Sequence, residues 1–359
     1  MKTGFVLLLS FALAAPGATV FMSNSGSHTS PFDTPEKAAT NLNAAIQAAG
    51  PFGIVNIADG IYFSNSTPLT NGVSLHGQSK SGTILDGGSI TRVITITEPY
   101  GGVVSNLTLR NGFADGGNGA AAYINGNTTS YFFNCLIYSN WAKTLYGGAV
   151  YSAGLNIQFR NCLLYANKAS SADGGSYHGG GAFCLNTASG VATIDASTVI
   201  GNYSGRVGYY GVGGGIYRLA GRITVLNSIV VSNRSASSIG SDVYGGNTVI
   251  NSILQSFAAT TNINCITNAA PAFVDYGSWT SATNFSPGDY HLLPESPCID
   301  SGTNQAWMAA GKDLYGSPRI ANGIVDMGCS EYIPESPSDG AFLRVRATLL
   351  LDALLSEAR

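Results

Sequence analysis

Charge is scarce in this chain. Asp, Glu, Lys and Arg make up 10% of its 359 residues, where a soluble domain usually carries about a quarter. Lys and Arg number 17 against 20 Asp and Glu, for a net charge of −3. So few Lys and Arg argue against nucleic acid as the main partner, because phosphate binding needs clustered cations. Histidine occurs at four scattered positions, His28, His76, His178 and His291. The six cysteines, at 135, 162, 184, 265, 298 and 329, form no CxxC pair, so no structural zinc site or other metal centre is expected. They are also too few for a disulfide scaffold at this length.

Long apolar runs are lacking too. The run Phe5–Ala15 follows Lys2 and is closed by Ala12, Ala14, Ala15 and Ala18. It is shorter than the ~20 apolar residues a spanning helix needs. It reads as a secretory signal peptide over 1–18, cleaved after Ala14, Ala15 or Ala18. The expectation is an exported, monomeric protein with no transmembrane segment.

Glycine is in excess, at 46 residues. It has no G-X-Y period, which excludes collagen, and 45% hydrophobic content suffices for a core. Much of the glycine belongs to a repeat. Asn134-Cys135-Leu136-Ile137-Tyr138-Ser139-Asn140 returns as Asn161-Cys162-Leu163-Leu164-Tyr165-Ala166-Asn167. Weaker copies end at Asn202 and Asn233, and a degraded one begins Asn251-Ser252-Ile253-Leu254. Each alternates with a second element: Gly147-Gly148-Ala149-Val150-Tyr151, Gly180-Gly181-Ala182-Phe183-Cys184 and Gly213-Gly214-Gly215-Ile216-Tyr217, with Ser241-Asp242-Val243-Tyr244 a fourth copy.

Short β-type runs bounded by Gly, Asn and Ser, repeating about every 30 residues, describe coils of a parallel β-helix. The predicted fold is all-β, a single-stranded right-handed parallel β-helix solenoid with an N-terminal helical cap. Ile137, Leu164, Val199, Val230 and Leu254 would stack as one core ladder, and Tyr151, Cys184, Tyr217 and Tyr244 as another column. Asn140, Asn167, Asn202 and Asn233 would stand at left-handed turns. Asp33-Thr34-Pro35-Glu36 reads as a helix start, predicting an amphipathic helix over Pro35–Ala49. Cys135 and Cys162 would stack as free thiols in the core.

The organisation expected is a signal peptide (1–18), an N-terminal strand and helical cap (19–53), the β-helix (54–293), a C-terminal cap (294–333) and an amphipathic tail (334–359). The paired GGA and Asn elements resemble the repeats of chlamydial polymorphic outer-membrane proteins and, more broadly, pectin-lyase-fold β-helices. Ser296-Pro297-Cys298-Ile299-Asp300-Ser301-Gly302, Asp313-Leu314-Tyr315-Gly316-Ser317-Pro318-Arg319 and Val325-Asp326-Met327-Gly328-Cys329-Ser330-Glu331-Tyr332 together resemble the choice-of-anchor Q domain of bacterial surface proteins. That resemblance implies a cell-surface location, a disulfide between Cys298 and Cys329, and an Arg-neutralised polar network of Asp300, Asp313, Arg319, Asp326 and Glu331.

Function is expected in the loops between the Asn and Gly elements, because variable insertions on one edge of a solenoid build its binding face. Trp141, Tyr146, Tyr177, Tyr209 and Tyr210 are candidates for stacking on an extracellular polysaccharide or cell-surface glycan. The leading expectation is a non-catalytic glycan-binding or adhesion module without a cofactor. The alternative is a polysaccharide lyase or glycoside hydrolase of the pectin-lyase-fold group. His178, Arg206 and Asp173 are then the catalytic candidates, with Ca²⁺ as the candidate cofactor if the protein is a lyase. Hydrolysis needs two carboxylates flanking a glycosidic bond, and no acidic pair stands out in the repeats. Asp195 and Asp242 read as isolated turn or surface residues, and His76 as structural.

Overall fold

The structure, a computed structural model, describes residues 17–97, 100–170, 178–206 and 210–334. The signal peptide, nearly all of the tail, and the candidates Asp173, Tyr177 and Tyr209 lie outside the described residues. The strands wind into a parallel β-helix whose faces are built by pairing each strand with its equivalent one coil on. The first face runs from Thr19–Met22 through Ile54–Ile57, Ser74–Gly77, Gly102–Ser105, Thr129–Phe133 and Asn156–Arg160. The second holds Leu136–Tyr138, Leu163–Tyr165, Thr198–Ile200 and Ile229–Val231. The third holds Ala122–Ile124 and Val150–Ser152; in later coils it merges with the first through the long strands Phe183–Asp195 and Ile216–Leu226. The paired ladders end at Phe257–Ile263 rather than at 293.

The core column is a register of equivalents. Ile137 pairs with Leu164, Leu164 with Val199, Val199 with Val230 and Val230 with Leu254, all buried. Burying every second residue of each rung stabilises a coil by about 1.5–3 kcal/mol per large aliphatic side chain. Cys135 and Cys162 are free, buried thiols.

The asparagines divide into two columns. Those closing each repeat are not the left-handed residues: that conformation belongs to the residue before each, Ser139, Ala166, Gly201 and Ser232. Asn140, Asn167, Asn202 and Asn233 instead turn inward and are fully buried or nearly so. The left-handed asparagines are those that open the repeat, Asn134, Asn161 and Asn227. An amide inside the turn can satisfy backbone groups of two coils at once, which a surface turn residue cannot.

The helix spans Leu42–Ala49, not Pro35–Ala49, and its N-cap is Asn41, whose side chain accepts from the Ala44 amide at 2.9 Å. The preceding residues cannot be helical, because Ala39 exchanges backbone hydrogen bonds with Phe21 and Ser23. Leu42, Ala45, Ile46 and Ala49 are its buried side.

Residues beyond the last coil do not simply cap the solenoid end. They run back along the outside of the second face, where Phe273, Tyr290, Leu292, Cys298, Leu314, Met327 and Cys329 cover Leu163, Ile200, Ile229, Val231 and Ile253. This strap docks on the left-handed asparagine corner: Asn161 Nδ2 donates to the Lys312 carbonyl, and Asn227 Oδ1 accepts from the Thr303 amide at 2.8 Å. Inside the strap, Arg319 is fully buried and pairs with Glu331 at 2.9 Å. Asp313 and Asp326 accept backbone amides. Cys298 and Cys329 share its core but are free thiols, so the bridge expected between them is not formed.

Candidate functional site

Each coil turns into a two-residue strand: Phe113–Ala114 after Gly112, and Trp141–Ala142, Lys168–Ala169, Tyr203–Ser204 and Arg234–Ser235 after a buried asparagine. These pair in parallel as a five-stranded ladder. The alanines and serines point inward and are buried. The first residues point away from the core, so Phe113, Trp141, Lys168, Tyr203 and Arg234 form one column at a spacing of about 4.8 Å, in which Tyr203 is buried against Trp279.

Neighbours in the column interact directly. Phe113 and Trp141 meet edge to face at 5.2 Å. Lys168 Nζ lies 4.2 Å from the Trp141 ring centroid, a cation–π contact. The Trp141 indole N–H donates to the Ser170 carbonyl at 2.8 Å, which fixes the ring's tilt. A strap hairpin, Ser278–Trp279 with Phe285–Ser286, leans over the far end of the column. There Arg234 sits 4.4 Å from the Trp279 ring, and Trp279 packs on Phe285 at 5.3 Å. Phe285 rests on Gly201, where a Cβ would lie 2.1 Å from the ring.

Between this hairpin and Trp141 lies a groove of about 230 Å³. Phe113, Trp141 and Lys168 wall one side and Thr283, Asn284 and Phe285 the other. Small residues, Ser139 and Ala166, make its floor. Burial pushes the Lys168 ammonium below its ordinary pKa. The groove therefore offers aromatic edges, one positioned cation, and hydroxyl and amide groups. None of its lining residues is a carboxylate, so it lacks the acid–base pair that glycoside hydrolysis uses.

The candidates read from sequence part company here. Trp141 lines the groove. Tyr146 lies away from it, 5.9 Å from Tyr217, beside the third-face column in which Tyr151, Cys184, Tyr217 and Tyr244 stack in register. Tyr210 is 69% exposed in its loop. His178 is no open loop residue: it is 1% exposed, belongs to the strand His178–Gly179 and faces the Leu145 carbonyl at 3.3 Å. Burial lowers its pKa, against the carbonyl contact that raises it, and so disfavours the charged ring. Arg206 is partly exposed in the next loop.

Asp195 and Asp242 are buried rather than on the surface. Asp195 receives Gln305 Nε2 at 2.8 Å and the Trp307 indole at 3.1 Å, which anchors the strap. Among the described residues, no group of His, Cys, Asp and Glu gathers as a metal site would. No helix among them is long and apolar enough to cross a membrane.

Phe113, Lys168, Tyr203 and Arg234 escaped the sequence reading as a set. The signal was present: in four coils each is the residue directly after a ladder asparagine, as in Asn140-Trp141 and Asn202-Tyr203.

No protein family matches the chain, and no curated relative matches it in sequence. Solved structures with related architecture include a pectate lyase, 13% identical, covering 89% of this chain and 97% of its own, with a TM-score of 0.45. A pectin methylesterase from Erwinia chrysanthemi is 15% identical over 69% of this chain and 82% of its own, with a TM-score of 0.39. The β-helix assignment rests on this chain's own strand pairing, and the chain is similar to these two proteins in architecture alone.

Proposed function

We propose that this is an exported, cell-surface β-helix protein that binds an extracellular polysaccharide without turning it over. The observation that carries the reading is the run Phe113–Trp141–Lys168 of the five-rung column, which walls a groove with no carboxylate. A rigid row of aromatic and cationic groups at coil spacing presents apolar edges to sugar C–H groups and donors to sugar oxygens. The ladder is held by backbone pairing, so little ordering is needed on binding. The resemblance of the strap to a choice-of-anchor Q domain supports the surface location.

A panel of neutral and acidic polysaccharides, titrated by calorimetry, tests the reading. Saturable binding that weakens at least tenfold in Trp141→Ala or Lys168→Ala, about 1.4 kcal/mol, supports it. Release of reducing or unsaturated ends, with or without Ca²⁺, that disappears in His178→Ala or Arg206→Ala would instead establish the lyase or hydrolase alternative.

A further inference from the structure

The second face is covered unevenly. From Leu163 to Ile253 the strap buries it. At its head the rung Gly60–Phe63 pairs on one side only, with Thr83–Asp86. The outward residues of that rung, Ile61 and Phe63, are 58% and 62% exposed, and Ile90 is 74% exposed. Phe63 and Ile90 flank Gly88, where a Cβ would lie 2.9 Å from the Phe63 ring and 3.9 Å from Ile90 Cδ1. The three side chains make one apolar patch, and clustered exposure of this kind marks a surface that another element covers.

The chain's own C-terminus heads toward it. Gly328 N–H donates to the Asn227 carbonyl, and Cys329 N–H donates to Thr198 Oγ1. Glu331 N–H donates to Asp313, next to the Lys312 carbonyl that accepts from Asn161. Asn227, Thr198 and Asn161 belong to successive coils, each nearer the head of the face. The described residues end at Pro334, and 25 residues follow it.

Those residues can reach the patch. From the coil of Asn161 the outward register runs Tyr165, Tyr138, Arg110, Asp86, Phe63. That is four steps, roughly 19 Å. Residues 335–342 span up to about 26 Å when extended.

The sequence beyond is complementary to the patch. Leu343, Ala347, Leu350, Leu351 and Leu354 recur at i, i+4, i+7, i+8 and i+11, the spacing of one helix face. Arg344 and Arg346 lie at its start. Asp59, the residue before the exposed rung, is held by the Ser79 and Thr83 hydroxyls. Among the described residues no Lys or Arg pairs with it.

We propose that 343–358 docks as an amphipathic helix on Ile61, Phe63 and Ile90, completing the cover of the second face that the strap begins. This docking does not depend on polysaccharide binding.

The test uses the full chain with Phe63→p-benzoylphenylalanine, a photo-crosslinking side chain at an exposed position that leaves the core untouched. Irradiation and peptide mass spectrometry should find adducts from position 63 to 343–358 of the same chain, at a yield independent of protein concentration. Leu350→Asp combined with Leu354→Asp should reduce those adducts to background while the circular dichroism of the β-helix stays unchanged. Irradiating a mixture of isotope-labelled and unlabelled chains separates a second copy as the occupant: adducts joining the two kinds of chain would overturn the proposal. So would adducts that never reach 343–358, or adducts there that survive both aspartates. Co-sedimentation with vesicles of phosphatidylcholine and phosphatidylglycerol, with no adduct to 343–358 in their absence, would assign that segment to a lipid surface instead.

Discussion

Asn233 Nδ2 donates to Asp242 Oδ1 across 2.9 Å, and the Asn233 backbone amide reaches the same oxygen at 3.1 Å. This is the last link of a buried chain in which Asn140 donates to Asn167, Asn167 to Asn202 and Asn202 to Asn233, each at 2.9 Å. The following coil has no asparagine at this place. A carboxylate from the Gly-element position takes over its acceptor, and its second oxygen receives the Gln255 and Ser256 amides.

Burial pushes the Asp242 pKa from 3.8 up to about 6. A raised carboxyl pKa means the folded state holds its proton more tightly than the unfolded chain. Stability from this group is therefore full below about pH 4 and is lost as pH rises through about 6, a change on the order of 3 kcal/mol. Glu331, raised to about 7, adds to the same trend. In urea melts, Asp242→Asn should flatten the slope between pH 4 and 6 relative to the parent. An identical slope in both proteins would contradict the assignment.

Removing a middle rung should cost more than removing an end. Asn167 accepts from the Asn140 amide and side chain and donates to the Ile137 carbonyl and to Asn202. Asn167→Ala strands several buried polar groups at about 1–3 kcal/mol each. A total loss of about 4 kcal/mol in chemical denaturation is expected; a loss below 1 kcal/mol would argue that water replaces the amide.

The strap's buried ion pair is testable by removing one partner. Arg319→Met leaves Glu331 buried beside Asp326 without its cation. About 3–5 kcal/mol of destabilisation follows at neutral pH, and acidification should restore part of it. Pairing Arg319→Met with Glu331→Leu should recover most of the loss in a double-mutant cycle.

Gly201 tests the hairpin beside the groove. It has φ +65, and Phe285 occupies the place of a Cβ. Gly201→Ala should release Trp279 from its contacts with Arg234 and Tyr203 and red-shift tryptophan emission, with melting lowered by several degrees. Unchanged emission would mean the hairpin docks elsewhere.

Cys298 and Cys329 are held as free thiols with pKa values pushed up to about 12 by burial. Thiolate is the reactive form. Native protein should resist alkylation at both sites, and full labelling should appear only with denaturant. Mass spectrometry finding the two joined in exported protein would show instead that the bridge forms in the secreted molecule.

Much of the solenoid was legible because a coil repeats its physics. Ile137 and Leu164 announce one rung each, and the stack follows. The strap was harder to read. Ile229-Val230-Val231 is apolar at every position, the mark of a parallel strand covered on both sides, yet Phe273 to Cys329 shows no period that would reveal it as the cover. The closing asparagines were read as the left-handed residues of their turn, whereas Ser139, Ala166, Gly201 and Ser232 before them carry the positive φ; sequence spacing cannot say which residue of a turn does. His178 looked like a loop residue because a two-residue strand leaves no periodicity to detect.

The five-rung column, three of whose residues line the groove, behaves as a ruler. Its divisions are set by the distance between backbones, about 4.8 Å, and not by side-chain reach. Duplicating one coil would add one division without disturbing the others, and deleting one would shorten the scale by the same step. On the proposed polysaccharide-binding reading, ligand length would change independently of ligand chemistry, the first by counting coils and the second by replacing the single residue that opens each rung.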